Sequence, residues 1–208
     1  MVGLVLLLVG SYLLGSIPFG YLAGRLAGTD IRRAGSGNVG ATNVLRLLGK
    51  RYGYPVFALD VLKGFAAVSI SMLIAPGRPP EWNSPAIFGI LAALSSVIGH
   101  SYPPWLKFKG GKGVATSAGA LLALAPLATL IGVAIWIIVF CLTRYVSLAS
   151  ITAAVVLPIV ILAVNLQDEN SSTPLVYAST CVVAIIIWRH RSNLSRLIRG
   201  TEPRFTRK

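Results

Sequence analysis

Acidic residues are scarce in this chain, with six Asp and Glu against 19 Lys and Arg among 208 residues. Charged residues of both signs make up 12% of the sequence, about half the share usual in soluble domains. Hydrophobic residues reach 55%, and the mean hydropathy is +0.75. This composition excludes a water-soluble globular fold and indicates a membrane protein. In that setting the net charge of +13 indicates basic loops at a membrane face, and we expect no nucleic acid partner.

Residues that carry most protein-based catalysis are also few. The chain has two histidines and two cysteines, and it lacks H-E-x-x-H, G-x-S-x-G and any cysteine–histidine cluster. Neither His100 nor His190 begins the H-x-x-x-x-D dyad of many acyltransferases. We therefore expect no metal, no cofactor and little acid–base machinery from the protein itself. Cys141 and Cys181 lie in apolar runs, where cysteine is usually a small apolar filler.

Long apolar runs are what the sequence has in abundance. Several approach or exceed the roughly 20 residues that cross a bilayer, and they cover residues 1–24, 54–75, 85–106, 114–142, 146–166 and 174–188. The first run lacks the cationic start and cleavage site of a signal peptide, so we expect it to be retained. The sequence predicts an all-α, polytopic membrane protein built as a single domain over residues 1–208.

The distribution of basic residues predicts the orientation. Cytoplasmic loops are enriched in Lys and Arg, and here these residues cluster in three segments: Arg25, Arg32, Arg33, Arg46, Lys50 and Arg51; Lys107, Lys109 and Lys112; Arg189, Arg191, Arg196 and Arg199. The turn at 76–84 and the acidic turn at Asp168 then lie outside. We expect the amino terminus outside and the carboxyl terminus in the cytoplasm.

The run at 114–142 decides the number of crossings. As one helix its 29 residues would extend about 44 Å, longer than an untilted span needs. A single crossing would also place the basic tail outside. Pro126 near the middle can break the helix, so we expect two short helices that meet there as a hairpin. The count becomes seven helices, and whether the hairpin crosses fully stays open.

Two glycine-rich segments are candidates for binding phosphate. Residues 35–43 read G-S-G-N-V-G-A-T-N, and Arg46 follows. Glycine lets backbone N–H groups approach an anion, and arginine can bind phosphate with two hydrogen bonds. We expect Thr42 and Asn43 to cap a short helix running toward Leu48. A flexible loop with a capped interfacial helix explains this segment equally well.

The second segment, F-K-G-G-K-G over residues 108–113, opens a helix near Val114. A glycine-rich turn with two lysines at a helix amino terminus is an anion site in principle. It lacks the Walker A spacing, and lysines at span ends also simply set topology.

Asp60 and Lys63 lie three residues apart inside an apolar run and can neutralise each other.

Further polar residues lie at the ends of the later runs. Ser147 follows Arg144 and Tyr145, which could be interfacial anchors. His190 and Asn193 are three apart and share a helix face. A histidine among arginines at a membrane edge is often structural, so these positions alone do not decide between a site and an anchor.

Taken together, the motifs resemble those of one family. The segment at 35–43 is similar to the first motif of the bacterial acyl-phosphate-dependent glycerol-3-phosphate acyltransferases. G-H-S-Y-P at 99–103 with F-K-G-G-K-G-V-A-T at 108–116 resembles the second. R-Y-V-S-L-A-S-I at 144–151 and R-H-R-S-N at 189–193 resemble the remaining ones. The resemblance covers the whole chain in order.

The resemblance implies a seven-helix protein of the bacterial inner membrane whose active site faces the cytoplasm. It implies transfer of a fatty acyl group from acyl phosphate to the 1-hydroxyl of glycerol 3-phosphate, the first step of phospholipid biosynthesis. The products are 1-acylglycerol 3-phosphate (lysophosphatidate) and phosphate. A substrate phosphate would act as the base, with Ser147 and His190 as the protein candidates for a catalytic role.

It also implies which residues bind each substrate. Acyl phosphate would be held by Ser36, Gly37, Asn38, Thr42, Asn43, Gly110, Gly111, Lys112 and Gly113. Glycerol 3-phosphate would be held by Arg46, Lys109, Ser147, His190 and Asn193. The rival interpretation is a transporter for an organic phosphate anion, which would share the basic segments and a half-helix hairpin. The candidate sites all fall at one face, which leaves no second gate. The sequence does not predict the oligomeric state or the acyl-chain preference.

Overall fold

Helices make up the regular structure in the described part of the chain. The computed structural model describes residues 2–74, 85–164 and 169–205, so the turn at 76–84 and Asp168 lie outside the described residues. The α-helices are α1 (Val2–Ser16), α2 (Phe19–Leu26), α3 (Ala41–Leu48), α4 (Lys50–Ile74), α5 (Pro85–Ser101), α6 (Val114–Leu124), α7 (Pro126–Thr143), α8 (Val146–Val164), α9 (Glu169–Arg189) and α10 (Arg191–Ile198). Short 3₁₀ turns lie at Ile31–Arg33 and Pro104–Leu106. The predicted all-α class is confirmed.

Helix length and composition identify the membrane spans. Among the described residues five stretches are long and apolar enough to cross a bilayer: Val2–Leu26, Lys50–Ile74, Ala86–Leu106, Pro126–Thr143 and Val146–Val164. A sixth is added if Thr173–Arg189 and Arg191–Ile198, bent by 61° at their junction, form one broken span. At 11 residues, α6 is a shorter apolar helix. The predicted count of seven helices therefore requires that the short helix α6 also enter the bilayer.

Prolines divide two of the predicted runs. Pro18 precedes α2 and separates it from α1. Pro126 begins α7, and Ala125 with φ −144° lies between it and the end of α6 at Leu124. The predicted helix break at Pro126 is confirmed, but the expectation of two short helices is wrong for α7, which at 18 residues is long and apolar enough to cross the bilayer. Proline fits the first turn of a helix, where its missing N–H has no intrahelical acceptor.

The chain divides into two compact units, Met1–Leu124 and Ala125–Lys208. In the first unit, glycines let helices approach closely. A Cβ added at Gly64 of α4 would collide with the Thr116 carbonyl oxygen of α6, and one at Gly119 of α6 would collide with the Val61 carbonyl oxygen of α4. Gly99 of α5 is equally close to the backbone of α1. Such small-residue contacts are typical of membrane helices, where close packing replaces the hydrophobic effect.

In the second unit, α8 packs against both α7 and α9. The helices of both units expose large apolar side chains, including Leu73, Leu142 and Ile159 at 84%, 80% and 64%. In a bilayer these surfaces face lipid tails, while the hydrogen bonds of the helices satisfy the backbone.

Candidate functional site

The first glycine-rich segment forms a turn folded around Asn43. Its side chain is 2% exposed and donates to the carbonyl oxygens of Ile31, Ala34 and Asn38, at 3.1, 3.3 and 2.9 Å. Asn43 Oδ1 accepts the Ser36 N–H at 3.0 Å. The amide of Asn43 therefore gives the turn its shape.

Glycine is required within this turn. Gly35 and Gly37 have φ angles of 59° and 69°, in the left-handed region that side chains with a Cβ disfavour. A Cβ at Gly35 would also collide with Asn43 Oδ1. The turn leaves Ser36 and Gly37 exposed, with Asn38 and Thr42 half-buried beside them. Of the residues predicted to bind acyl phosphate in this segment, four are thus accessible to solvent, whereas Asn43 is buried within the turn.

The capping of α3 differs from the prediction. The helix runs to Leu48 as expected, but its N-cap is Gly40, and Thr42 and Asn43 lie inside the first turn. Asn38 Oδ1 accepts the Gly40 N–H at 2.8 Å. The prediction that Thr42 and Asn43 cap the helix is wrong, because the Asn43 side chain bonds backward to the preceding turn. The first N–H groups of α3 therefore keep no side-chain cap, and Arg46 is exposed on the same helix.

The second glycine-rich segment is a strained turn that leads into α6. Lys107 and Phe108 are both left-handed, with φ angles of 53° and 60°, which is costly for residues with a Cβ. The Gly110 N–H donates to Ser101 O and the Gly111 N–H to His100 O, both at 3.1 Å. Those two N–H groups are used within the protein. Anion binding in this segment would instead use the first turn of α6, whose N–H groups have no intrahelical acceptors.

Two buried hydroxyls lie beside that helix start. A Cβ placed on Gly113 would be 3.4 Å from Ser101 Oγ and 3.8 Å from Ser117 Oγ. Neither hydroxyl has a hydrogen-bond partner within the described residues, and both side chains are buried. Sequence reasoning assigned no role to either serine, although Ser101 lies within the G-H-S-Y-P segment at 99–103. Lys109 is exposed and Lys112 is half-buried in the same turn.

The two glycine-rich segments are anchored in one apolar cluster of the first unit. Val39 of the first segment, Val44 of α3 and Leu106 just before the second segment are 5%, 0% and 4% exposed and belong to the same buried cluster. Gly20 of α2 lies against Val39, where a Cβ would strike its carbonyl oxygen. Packing therefore fixes both segments on a shared core.

In the second unit, three polar side chains hydrogen-bond to Glu202. The sequence analysis did not identify this residue. Ser147 Oγ donates to Glu202 Oε1 at 2.6 Å, and Asn193 Nδ2 donates to the same oxygen at 2.7 Å. Arg196 Nε pairs with Oε2 at 2.7 Å. The one available signal was a single acidic residue in an otherwise basic tail. Two of the predicted site residues, Ser147 and Asn193, are thus brought together by this carboxylate.

The ionisation of Glu202 follows from these contacts. Burial raises the pKa of the carboxyl, but hydrogen bonds from Ser147, Asn193 and Arg196 together outweigh burial and hold the pKa below its ordinary value of 4.5. The carboxylate is therefore charged at neutral pH.

His190, the third site residue predicted in this unit, is 2% exposed at the α9–α10 junction. Its Nδ1 lies 2.8 Å from Ile186 O, so the neutral ring carries its proton on Nδ1.

No group of three His, Cys, Asp or Glu side chains is placed to hold a metal ion within the residues that the structure describes. In the first unit the half-buried Asp30 carboxylate accepts hydrogen bonds from the Arg32 guanidinium at 2.9 and 2.7 Å. The Arg32 guanidinium lowers the pKa of Asp30 to about 2. The candidate site thus consists of backbone N–H groups, hydroxyls, amides and cations, which are ligands suited to phosphate.

Comparison with known proteins identifies the family. The sequence model described as glycerol-3-phosphate acyltransferase matches residues 5–200. The chain belongs to this family. Glycerol-3-phosphate acyltransferases from Desulforamulus reducens and Synechococcus elongatus are 45% and 48% identical to it, covering 95% and 93% of this chain and 93% and 90% of theirs.

Solved structures of the family agree with the fold. A crystal structure of PlsY (YgiH), an integral membrane glycerol 3-phosphate acyltransferase in its glycerol 3-phosphate form, superposes with a TM-score of 0.86 at 43% identity. The match covers 98% of this chain and 96% of that one. The lysophosphatidic acid form gives a TM-score of 0.84 at 42% identity over the same shares. With its long apolar helices, this member of the family is a multi-pass membrane protein.

Proposed function

We propose that this protein transfers a fatty acyl group from acyl phosphate to the 1-hydroxyl of glycerol 3-phosphate, giving 1-acylglycerol 3-phosphate and phosphate. The observation that carries the proposal is the family match over residues 5–200, together with solved relatives in glycerol 3-phosphate and lysophosphatidic acid forms. Glycine-rich turns rich in phosphate ligands at the start of α3 and α6 support it.

The choice of acyl phosphate as donor rests on chemistry. Acyl phosphate is a mixed anhydride with a good leaving group, so the acceptor hydroxyl can attack the carbonyl carbon directly. The new C–O ester bond forms, the C–O bond to phosphate breaks, and the hydroxyl proton passes to a phosphate oxygen of the substrate. The chain lacks the H-x-x-x-x-D dyad that would activate the hydroxyl with a less reactive donor.

The protein then acts mainly by binding and orientation, which can supply several orders of magnitude in rate. In the first unit we assign Ser36, Gly37, Asn38, Thr42, Gly113 and Lys112 to the acyl phosphate, with Asn43, Gly110 and Gly111 shaping the turns. Arg46 and Lys109 are assigned to the phosphate of glycerol 3-phosphate. The roles of Ser147, His190 and Asn193 in holding glycerol 3-phosphate stay predictions from the family resemblance.

The location and orientation are part of the proposal. We infer a seven-helix protein of the bacterial inner membrane, with the amino terminus outside and the carboxyl terminus and site in the cytoplasm. The three basic segments support this orientation, and α6, at 11 residues, supplies the seventh helix as a short element.

A donor comparison tests the proposal. The purified protein is given glycerol 3-phosphate with acyl phosphate, acyl-CoA or acyl-carrier protein, each bearing the same acyl chain, and lysophosphatidate is quantified. We expect product with acyl phosphate and none with either thioester. Robust turnover with acyl-CoA in the absence of any acyl phosphate would overturn the assignment of the donor.

A further inference from the structure

Three ionisable side chains are buried in the first unit outside the residues assigned to substrate. Asp60 and Lys63 of α4 are 2% and 3% exposed, and His100 at the end of α5 is 7% exposed. The predicted Asp60–Lys63 pair is confirmed, with Lys63 Nζ 2.7 Å from Asp60 Oδ1. Lys63 Nζ also donates to Ile17 O at 2.9 Å, at the break between α1 and α2.

Buried ion pairs of this kind rarely add net stability. Desolvation of the two charges roughly cancels their attraction, and apolar replacements are often neutral or stabilising. Simple neutralisation of the pair therefore gives no reason for either charge to be present. The imidazole of His100 lies beside the pair, and this contact suggests a role for the pair in positioning the ring.

Asp60 faces the imidazole of His100. Asp60 Oδ1 lies 3.5 Å from His100 Nδ1, which is longer than an ordinary hydrogen bond, so the contact between the two groups is electrostatic. A carboxylate at the Nδ1 edge electrostatically favours the tautomer that carries its proton on that nitrogen, and it favours the ring orientation that faces the carboxylate. Lys63 Nζ lies 2.7 Å from the same Oδ1 atom, so the carboxylate that faces the ring is itself held in place by a residue of α4.

The opposite edge of the ring lies against the second glycine-rich turn. A Cβ placed on Gly111 would collide with His100 Nε2, and one on Gly110 would collide with the His100 carbonyl oxygen. The same carbonyl accepts the Gly111 N–H at 3.1 Å. His100 thus contacts the turn through both its ring and its backbone. A continuous chain of contacts therefore leads from Ile17 through Lys63, Asp60 and His100 to Gly111.

We propose that Asp60, held by Lys63, is a positioning residue that orients His100, and that the His100 ring sets the shape of the turn at residues 110–113. The inference rests on the proposed phosphate-binding role of that turn. Shifting the turn displaces Lys109, Lys112 and the start of α6 from the substrate phosphates. Because misplacement of about 1 Å can cost 100-fold in rate, loss of the ring contact lowers kcat/KM without removing any group that touches substrate.

Two variants separate the ring contact from the ion pair. Asp60→Asn with Lys63→Met removes both charges together and avoids leaving one buried charge unpaired. His100→Gln keeps the ion pair and replaces the ring by a flexible amide. Ser71→Ala is the matched control, because Ser71 is a buried polar residue of α4 whose Oγ donates to the helix carbonyls Val68 O and Phe88 O.

The experiment measures hydrogen–deuterium exchange at residues 108–113 alongside kinetics of folded, monodisperse protein. We expect faster exchange at Gly110 and Gly111 in both test variants, and a kcat/KM for glycerol 3-phosphate lowered by about tenfold to 100-fold. Exchange in the turn at residues 35–43 should match the wild type. Ser71→Ala should keep wild-type exchange and kinetics.

The exchange readout does not depend on catalysis, so it separates this inference from the proposed function. Inactive wild type would overturn the function, while faster exchange in the variants would still support the positioning role. His100→Gln with wild-type exchange at residues 108–113 and wild-type kinetics would overturn the positioning role. A lowered melting temperature with unchanged turn exchange and kinetics would also overturn it, because that pattern belongs to a purely structural ion pair.

Discussion

The carboxylate of Glu202 binds three side chains of the second unit. It is 8% exposed and accepts hydrogen bonds from Ser147, Asn193 and Arg196. The sequence predicted Ser147 and Asn193 as site residues, but it did not predict their common partner. Ser147 and Glu202 are 55 positions apart, and no local periodicity connects residues at that distance.

Replacing this carboxylate should destabilise the protein. Glu202→Gln keeps the side-chain shape but weakens charge-assisted hydrogen bonds, each worth about 1.5 to 3 kcal/mol when buried. We expect a lowered melting temperature in detergent at pH 7, measured by intrinsic fluorescence. Asp30→Asn is the control, because Asp30 pairs with a partly exposed arginine on the surface. An unchanged melting temperature for Glu202→Gln would contradict this role.

The same residue predicts a pH dependence. The pKa of Glu202 is lower in the folded protein than its ordinary value of 4.5. Its stabilising contribution is therefore complete above about pH 4.5 and is lost as pH falls through the lower folded pKa. Melting temperatures of the wild type and Glu202→Gln should differ at pH 7 and converge in acid. A difference that persists unchanged at pH 3 would contradict the assignment.

Arg46 and Lys109 are the cations that the proposal places on glycerol 3-phosphate. Losing one charge-assisted hydrogen bond to phosphate costs about 1.5 to 3 kcal/mol. Arg46→Ala and Lys109→Ala should therefore each lower kcat/KM for glycerol 3-phosphate by about tenfold to a few hundredfold, with a smaller effect on acyl phosphate. Arg33→Ala removes an equal charge from an exposed position and should leave kinetics near normal. Near-normal kinetics for both test variants would remove these residues from the site.

Among the elements, the α4–α6 interface depends on glycine in a way that can be tested. A Cβ at Gly64 would strike the Thr116 carbonyl oxygen, whereas one at Gly10 of α1 has no atom within 4 Å. Gly64→Ala should destabilise the protein, since overpacking costs about 1 to 3 kcal/mol. Gly10→Ala should be neutral or slightly stabilising because alanine is the better helix former. Equal melting temperatures of these two variants would contradict the close packing of α4 on α6.

The helices could be predicted from the sequence more fully than the hydrogen bonds within the turns. Apolar runs predicted the other long helices, and Pro126 predicted the break at Ala125 but not the full length of α7, because span length and proline geometry are local properties. The capping of α3 was predicted wrongly, since Asn43 bonds carbonyls that the folded turn brings near. The sequence identified residues 108–113 as a turn, but it did not show that His100 and Ser101 use two of its N–H groups.

For the whole molecule, the basic segments predict which face is cytoplasmic. Single cysteines at Arg33, Lys107 and Arg199, in a background without Cys141 and Cys181, should react with an impermeant thiol reagent only from the cytoplasmic side. A cysteine at Asp168 should react only from outside. These outcomes follow from the cytoplasmic bias of Lys and Arg. Labelling of Arg199→Cys from outside would contradict the even number of crossings between Arg33 and the tail.

We propose that acyl phosphate and glycerol 3-phosphate react with each other on this protein. The most direct measurement reconstitutes the wild type in proteoliposomes and quantifies lysophosphatidate, phosphate and glycerol 3-phosphate transported across the bilayer. We predict lysophosphatidate and phosphate in equal amounts, each requiring both substrates, and no transport of glycerol 3-phosphate. Phosphate release without lysophosphatidate, or transport of glycerol 3-phosphate without acylation, would contradict it.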